Sequence, residues 1–89
     1  MRKLDITKDA LDFWRSLDAK QYRQVGNKAL SLLADPTPAD YIHMKGSDFM
    51  RTDIGEFRIV YRFDETTVYI AVIGRRNDDD AYKQAKRKQ

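Results

Sequence analysis

Residues 57–73 of this chain read Phe57-Arg58-Ile59-Val60-Tyr61-Arg62-Phe63, then Asp64-Glu65-Thr66-Thr67, then Val68-Tyr69-Ile70-Ala71-Val72-Ile73. In the first segment a large apolar side chain occupies every second position, which is the period of a strand with one buried face. The last segment is a near-continuous apolar run rich in β-branched residues, which favours a more deeply buried strand. Because four turn-forming residues separate the two, the stretch predicts an antiparallel hairpin.

Two amphipathic helices are predicted before this hairpin. Thr7 is expected to cap a short helix that ends near Leu17, and Asp18 to cap a longer helix over residues 19–34. Apolar residues recur in both segments at spacings of three and four, as on one face of a helix. The segment Asp35-Pro36-Thr37-Pro38 ends the second helix, so the two form a helical hairpin.

The remaining elements complete a small α+β fold. Strands are predicted at residues 2–6 and 49–54, with a turn at Gly55-Glu56, and a short helix at 81–86 follows three aspartates. The predicted order is β-α-α-β-β-β-α: an antiparallel sheet that carries the helical hairpin on one face, plus a short C-terminal helix. Residues 1–89 are expected to form a single domain.

Composition excludes several kinds of chemistry. The chain has no cysteine and a single histidine, so we expect no disulfide, no thiolate site and no His-rich metal site. The sequence shows no patterned carboxylate cluster for a metal with oxygen ligands either, so no metal and no cofactor are expected. Neither a signal peptide nor a membrane-spanning segment is expected, which favours a cytoplasmic protein with no membrane contact. Residues 1–74 hold eleven basic and eleven acidic side chains, so the net charge of +3 arises from residues 75–89. This end is expected to attract a polyanion or an acidic partner, although a solvated basic tail is the ordinary alternative.

One face of the predicted sheet is rich in arginine. Arg58 and Arg62 point away from the aromatic residues of their strand, and Arg51 and Asp53 share a face of the preceding strand. If this face is open, its arginines form a basic concavity together with Arg76. The alternative is that Arg58 and Arg62 pair with cross-strand carboxylates on a solvated face.

Three runs of sequence carry a resemblance to a known family. They are Met44-Lys45-Gly46-Ser47-Asp48-Phe49-Met50-Arg51, Ile54-Gly55-Glu56-Phe57-Arg58-Ile59-Val60-Tyr61-Arg62, and Val68-Tyr69-Ile70-Ala71-Val72-Ile73-Gly74-Arg75-Arg76, followed by Tyr82. With the helical hairpin before them, these runs resemble the RelE/ParE toxin superfamily of type II toxin–antitoxin systems, over nearly the whole chain. The RelE-like branch cuts mRNA in the ribosomal A site, where a 2′-OH attacks the adjacent phosphate. The resemblance therefore implies a ribosome-dependent endoribonuclease.

The resemblance also assigns roles to single residues. Arg58 matches the arginine that contacts the scissile phosphate, and Arg76 matches one credited with helping the leaving group, for which we favour charge stabilisation. Tyr82 matches a tyrosine that stacks on or orients a base, and Arg51 matches a basic residue of the strand before. Further basic residues expected to bind RNA are Lys45, Arg62, Arg75, Lys83 and Lys86.

Asp53 departs from the family pattern. The best-known RelE members carry a lysine here, assigned as general base or phosphate contact, so an aspartate reverses the local charge. Asp53 is expected to pair with a neighbouring arginine, which would weaken catalysis; alternatively it accepts the 2′-OH proton itself. Asp78, where the family often has a basic residue, is a second departure.

Two other functions stay open within the superfamily. ParE-type members poison DNA gyrase and typically lack the C-terminal arginine–tyrosine pair, so Arg76 and Tyr82 favour the RelE-like branch. A third possibility is a member that has lost catalysis and only binds its antitoxin. The implied partners are the ribosome, mRNA and a small antitoxin that wraps the toxin, covering its basic face or displacing its C-terminal helix. Contact with DNA is expected only through that antitoxin.

Overall fold

A computed structural model of the chain describes residues 1–77. Its elements are β1 (Lys3–Ile6), α1 (Lys8–Arg15), α2 (Ala19–Ala34), β2 (Ile42–His43), β3 (Met50–Ile54), β4 (Phe57–Phe63) and β5 (Thr67–Arg75). The predicted helix at 81–86 lies outside the described residues. Within them, neither helix is long and apolar enough to cross a membrane.

The five strands form one mixed sheet in the order β1-β5-β4-β3-β2. The predicted α+β fold is confirmed, but the prediction of a wholly antiparallel sheet is wrong at one edge, because β1 runs parallel to β5. Parallel pairing needs a long crossover, which the helices and the three intervening strands provide here. At two residues, β2 is too short to leave a periodic pattern, and the sequence analysis missed it.

The helices begin where their capping residues predict. The Thr7 side chain accepts a hydrogen bond from the Ala10 N–H (3.2 Å), and Asp18 accepts one from the Gln21 N–H (2.8 Å). The helical hairpin covers one face of the sheet, and the main core lies between the two layers. Its buried members from the helices and the central strands are Ala10, Val25, Ala29, Leu32, Leu33, Phe57, Ile59, Tyr61, Val68, Ile70 and Ile73.

The other face of the sheet is closed at its centre. Val60 and Val72 are buried there beneath Met44 and Phe49, which belong to the loop between β2 and β3. A register shift between β4 and β5 places Ala71 in the same small cluster as Val72. The apolar run of β5 is therefore buried on both faces, as predicted. This face is therefore open only away from its centre, because its central valines need an apolar cover. Arg58 pairs with the cross-strand carboxylate of Asp53, as the alternative interpretation of the arginine-rich face predicts.

Two contacts fix the segment between α2 and β3. The buried Tyr61 hydroxyl donates a hydrogen bond to the Pro36 carbonyl (2.6 Å), and burial raises the pKa of Tyr61 well above its usual value. Asp40 accepts hydrogen bonds from the Thr52 hydroxyl (2.7 Å) and the Asp53 N–H (3.0 Å), and it pairs with Lys28 (3.2 Å). Strand β2 pairs only with Met50 and Arg51 of β3 and does not reach Asp53. The Asp40 carboxylate therefore takes the place of a strand partner for the Asp53 N–H.

Helix α2 contains Gly26, which is buried and touches the ring of Trp14. A Cβ at residue 26 would lie 3.1 Å from the Trp14 Cζ2 atom. The indole has little freedom to move, because it stacks on Tyr22 (5.2 Å between centroids) and donates a hydrogen bond to the Tyr22 carbonyl (3.1 Å). Glycine is a poor helix former, but its lack of a side chain at residue 26 allows the two helices of the hairpin to pack closely.

We predict that Gly26→Ala lowers the free energy of unfolding by about 1 kcal/mol. Helix propensity alone would raise it by about 1 kcal/mol, but overpacking a fitted contact costs about 1–3 kcal/mol. Urea unfolding of the single variant and of the same change in a Trp14→Leu background checks this. In that background the contact is gone, and Gly26→Ala is expected to stabilise the protein. Stabilisation in both backgrounds would contradict the packing explanation.

We predict that the stability contributed by the Asp40 carboxylate is complete above about pH 4 and declines as the pH falls towards 2. Burial raises its pKa, but the hydrogen bonds from Asp53, Thr52 and Lys28 outweigh this and lower it from 3.8 to about 2. A lowered folded-state pKa means that the contribution is complete above 3.8 and is lost as the pH falls towards 2. Asp40→Asn should lower the free energy of unfolding at pH 7 by about 1 kcal/mol, at the low end of values for bonds to charged groups because the site is half exposed.

Urea unfolding of the wild type and Asp40→Asn at pH 7, 4, 3 and 2 measures this dependence. The difference between the two proteins is expected to shrink between pH 4 and pH 2. A difference that stays constant over this range would show that the ionised carboxylate is not the stabilising species.

Candidate functional site

The Asp53 carboxylate lies between two arginines at one end of the sheet. Asp53 and Arg58 are directly opposite each other on β3 and β4, and Arg58 donates through Nε (2.9 Å) and Nη2 (3.4 Å). On the other side, the Arg76 Nε lies 3.3 Å from the second carboxylate oxygen. One carboxylate therefore holds two guanidinium groups side by side.

The turn between β3 and β4 places Arg76. Its backbone N–H donates to the Glu56 carbonyl (2.8 Å), and its Nη1 donates to the Gly55 carbonyl (3.3 Å). Gly55 has φ +56, which favours glycine, and a Cβ there would lie 2.8 Å from the Gln24 amide. Arg76 follows β5 in the sequence, yet its position depends on this turn.

An open cavity of about 440 Å³ adjoins the paired arginines. It is lined by Gly55, Glu56, Arg58, Arg75, Arg76 and Asn77. The Arg75 guanidinium lies over the Phe57 ring (5.4 Å) and 3.6 Å from Glu56. Across β5 the residue opposite Arg58 is Gly74, so no side chain from that position fills the space above Arg58.

This geometry suits an anion with several oxygens. Guanidinium groups stay charged and present fixed sets of N–H donors, which match phosphate. The side chain of Arg58 is 21% exposed and that of Arg76 54%, so one is held by the sheet and the other faces solvent. The carboxylates at hand, Asp53 and Glu56, both contact arginines. The site can therefore stabilise negative charge, whereas proton transfer has fewer candidates among residues 1–77.

The structure brings together part of the predicted site. Arg58, Arg75 and Arg76 line the cavity, and Asp53 pairs with Arg58 and Arg76 as expected. Arg51 lies two residues before Asp53 on the same face, opposite Val60.

The other predicted residues lie elsewhere. Lys45 is exposed in the loop that covers the centre of the sheet, and Arg62 is exposed at the far end of β4, apart from the first cavity. Tyr82, Lys83 and Lys86 lie outside the described residues, so their roles stay predictions.

Sequence reasoning missed four contributors to this site. The Gly55 and Glu56 carbonyls hold Arg76, Asn77 lines the cavity, and Asp40 anchors the backbone of Asp53. The sequence identified Gly55-Glu56 as a turn, but nothing in the sequence indicated that this turn contacts Arg76. Asp40 lies in an irregular segment, where no periodicity reports on contacts.

Several solved structures are similar to this chain. A mutant E. coli RelE toxin in the free state has 22% identity over 98% of this chain and 96% of that one, with a TM-score of 0.80. The intact E. coli RelBE toxin–antitoxin complex has 26% identity over 84% and 96%, with a TM-score of 0.71. A YoeB/ParE toxin from Agrobacterium tumefaciens has 20% identity over 82% and 96%, with a TM-score of 0.70.

The sequence comparison identifies the family directly. No curated protein sequence matches the chain significantly. The family model for the ParE toxin of the type II toxin–antitoxin system parDE, however, matches residues 4–80, which is most of the chain. Together with the likeness to RelE and YoeB structures, this places the chain in the expected superfamily. The chain therefore belongs to the ParE toxin family of type II toxin–antitoxin systems, within the RelE/ParE superfamily.

Proposed function

We propose that the chain is a ribosome-dependent endoribonuclease that cuts mRNA in the ribosomal A site. The observation that carries this proposal is the convergence of Arg58 and Arg76 on one cavity. These are the two arginines to which the resemblance gives contact with the scissile phosphate and stabilisation of the leaving group. Inhibition of gyrase by itself does not require two arginines that converge on one open cavity.

The proposed reaction forms a bond from the 2′-oxygen to phosphorus and breaks the bond from phosphorus to the 5′-oxygen. The products are a 2′,3′-cyclic phosphate and a 5′-hydroxyl, so the 2′-hydroxyl gives up one proton to water and the departing 5′-oxygen takes one from water. Negative charge grows on the phosphorane oxygens, and two preorganised guanidinium groups stabilise it. Orientation of the 2′-oxygen is supplied by the ribosome, because holding the reacting groups in line replaces much of the work of a strong base. Tyr82 is proposed to stack on or orient a base.

The proposed partner is a small antitoxin protein. One similar structure is an E. coli RelBE toxin–antitoxin complex, and another is an archaeal RelE–RelB complex from Pyrococcus horikoshii. We propose that the antitoxin of this chain wraps it and covers the arginine cavity. Its acidic groups would compete with phosphate for Arg58 and Arg76. The complex would act in the cytoplasm, where mRNA is translated, and would reach DNA through the antitoxin.

Inhibition of DNA gyrase is the second candidate function. It is favoured by the family match, since the matching model is that of a ParE toxin. It requires a surface that binds gyrase and no cleavage of RNA, so the two functions separate cleanly in a purified assay.

We predict that Arg58→Ala and Arg76→Ala each reduce cleavage of mRNA on stalled ribosomes at least about 100-fold, the loss typical for removing a donor to a developing charge. Primer extension on a defined mRNA with an A-site codon measures the rate. The control is Arg23→Ala, which removes an exposed arginine of α2 that does not line the cavity. Intact mRNA from the folded wild-type protein would contradict the proposal, and gyrase-dependent DNA breaks would then support the second candidate.

We predict that Asp53→Asn changes the cleavage rate by less than about 10-fold. Asparagine keeps an oxygen for one arginine, whereas the loss of a general base typically costs about 100- to 10,000-fold. Single-turnover rates of the wild type and the variant on the same stalled ribosomes distinguish these cases. A loss beyond about 100-fold, with Arg58 and Arg76 still supporting anion binding, would identify Asp53 as the base.

A further inference from the structure

A second cavity lies at the other end of the same sheet face. Its volume is about 240 Å³, and its lining includes Asp5, Ile6, Phe49, Arg62, Tyr69 and Ala71. The lining combines apolar side chains with two charged ones, those of Asp5 and Arg62. A small concave site with an apolar lining and few polar groups suits a compact, partly polar ligand.

Arg62 forms a flat cationic surface in this cavity. Its guanidinium carbon lies 4.1 Å from the centroid of the Tyr69 ring, and the side chain is exposed. The Tyr69 hydroxyl donates to Asp64 (3.2 Å), which holds the ring in place. Arg62 forms no ion pair with any residue of the range 1–77. Its outer face is therefore available for stacking, and guanidinium planes are a common platform for nucleobases.

Asp5 adds a hydrogen-bond acceptor beside this platform. It lies on β1 directly beside Tyr69 of β5 in the parallel register, and its side chain has no hydrogen-bond or ion-pair partner among residues 1–77. A carboxylate accepts hydrogen bonds through two oxygens and donates none. It therefore selects a ligand edge that carries adjacent donors.

We propose that this cavity binds a guanine base of the RNA substrate, stacked on Arg62 with its N1–H and amino group donating to Asp5. Guanine is the base whose edge presents two neighbouring donors to a carboxylate, whereas uracil presents one N–H flanked by carbonyls. The inference rests on the proposed function and adds to it a base-specific subsite outside the phosphate site.

The two cavities are close enough for one RNA strand to reach both the Arg62 cavity and the Arg58 cavity. Arg58 and Arg62 share one face of β4 and are four residues apart, which corresponds to about 13 Å along a strand. The loop carrying Met44 and Phe49 lies between the two cavities, and Lys45 on this loop is exposed. A nucleotide flanking the cleaved bond can thus place its base at Arg62 while the scissile phosphate lies at Arg58.

Nuclear magnetic resonance titration of the whole protein with the four nucleoside 5′-monophosphates tests this subsite. We expect GMP to shift the methyl signals of Ile6 and Ala71 and to bind about tenfold more tightly than UMP, as one base stack and its hydrogen bonds allow. Inorganic phosphate is the reference, because it should affect the Arg58 cavity alone. Shifts confined to that cavity, or equal affinity for GMP and UMP, would overturn the proposal.

Matched variants separate stacking from charge. Arg62→Lys keeps the charge but loses the flat face, so it should weaken GMP binding about fivefold or more. Asp5→Asn should remove the preference for GMP over AMP. Arg2→Lys is the control, because Arg2 also lies over an aromatic ring, that of Phe63 (5.5 Å), but does not line the cavity. Unchanged GMP binding by Arg62→Lys would overturn the stacking model.

A cleavage assay distinguishes failure of this subsite from failure of the proposed function. On stalled ribosomes, Arg62→Lys should slow cleavage at sites flanked by guanine at least fivefold more than at sites flanked by uracil, in line with the loss of one base stack. Equal rates at both sites, with Arg58→Ala still inactive, would overturn the subsite and leave the endoribonuclease proposal standing. If the wild-type protein leaves mRNA intact, the proposed function is wrong. The nucleotide titration then decides by itself whether the cavity binds guanine.

Discussion

Strand β5 pairs with β4 on one side and with β1 on the other, and its apolar residues are buried on both faces of the sheet. The helical hairpin covers one face, and Met44 and Phe49 cover the other at Val60 and Val72. Both cavities lie where this cover ends, one beyond Arg58 and one beyond Arg62. The burial of β5 therefore determines which parts of an arginine-rich face stay accessible to a ligand.

Asp53 orients the two arginines that line the larger cavity. A lysine at this position would add a third cation, whereas the aspartate here offsets part of the charge and fixes the directions of Arg58 and Arg76. Paired charges with satisfied hydrogen bonds hold a geometry at little net gain in stability. An incoming phosphate then competes with a carboxylate for donors that are already in position. This arrangement agrees with the proposed function, in which the ribosome delivers and orients the substrate.

Local patterns were sufficient for much of this description. The two-residue period of residues 57–63 predicted β4 and the shared face of Arg58 and Arg62, and the side chains of Thr7 and Asp18 predicted the helix starts. The parallel place of β1, the loop over Val60 and the turn that holds Arg76 depend on contacts between residues distant in sequence. No local period encodes such contacts, which is why the sequence left the accessibility of this face undecided and did not indicate the cavity at Tyr69.

The most direct test of the proposed role of Arg58 and Arg76 is the chemistry of the RNA ends that cleavage would leave. We would treat ribosomes stalled on a defined mRNA with the purified protein and determine both new termini by sequencing and mass spectrometry. Attack of a 2′-oxygen on a phosphate held by Arg58 and Arg76 predicts a 2′,3′-cyclic phosphate and a 5′-hydroxyl within the A-site codon. New ends that carry a 3′-hydroxyl, or intact mRNA beside gyrase-dependent DNA breaks, would contradict it.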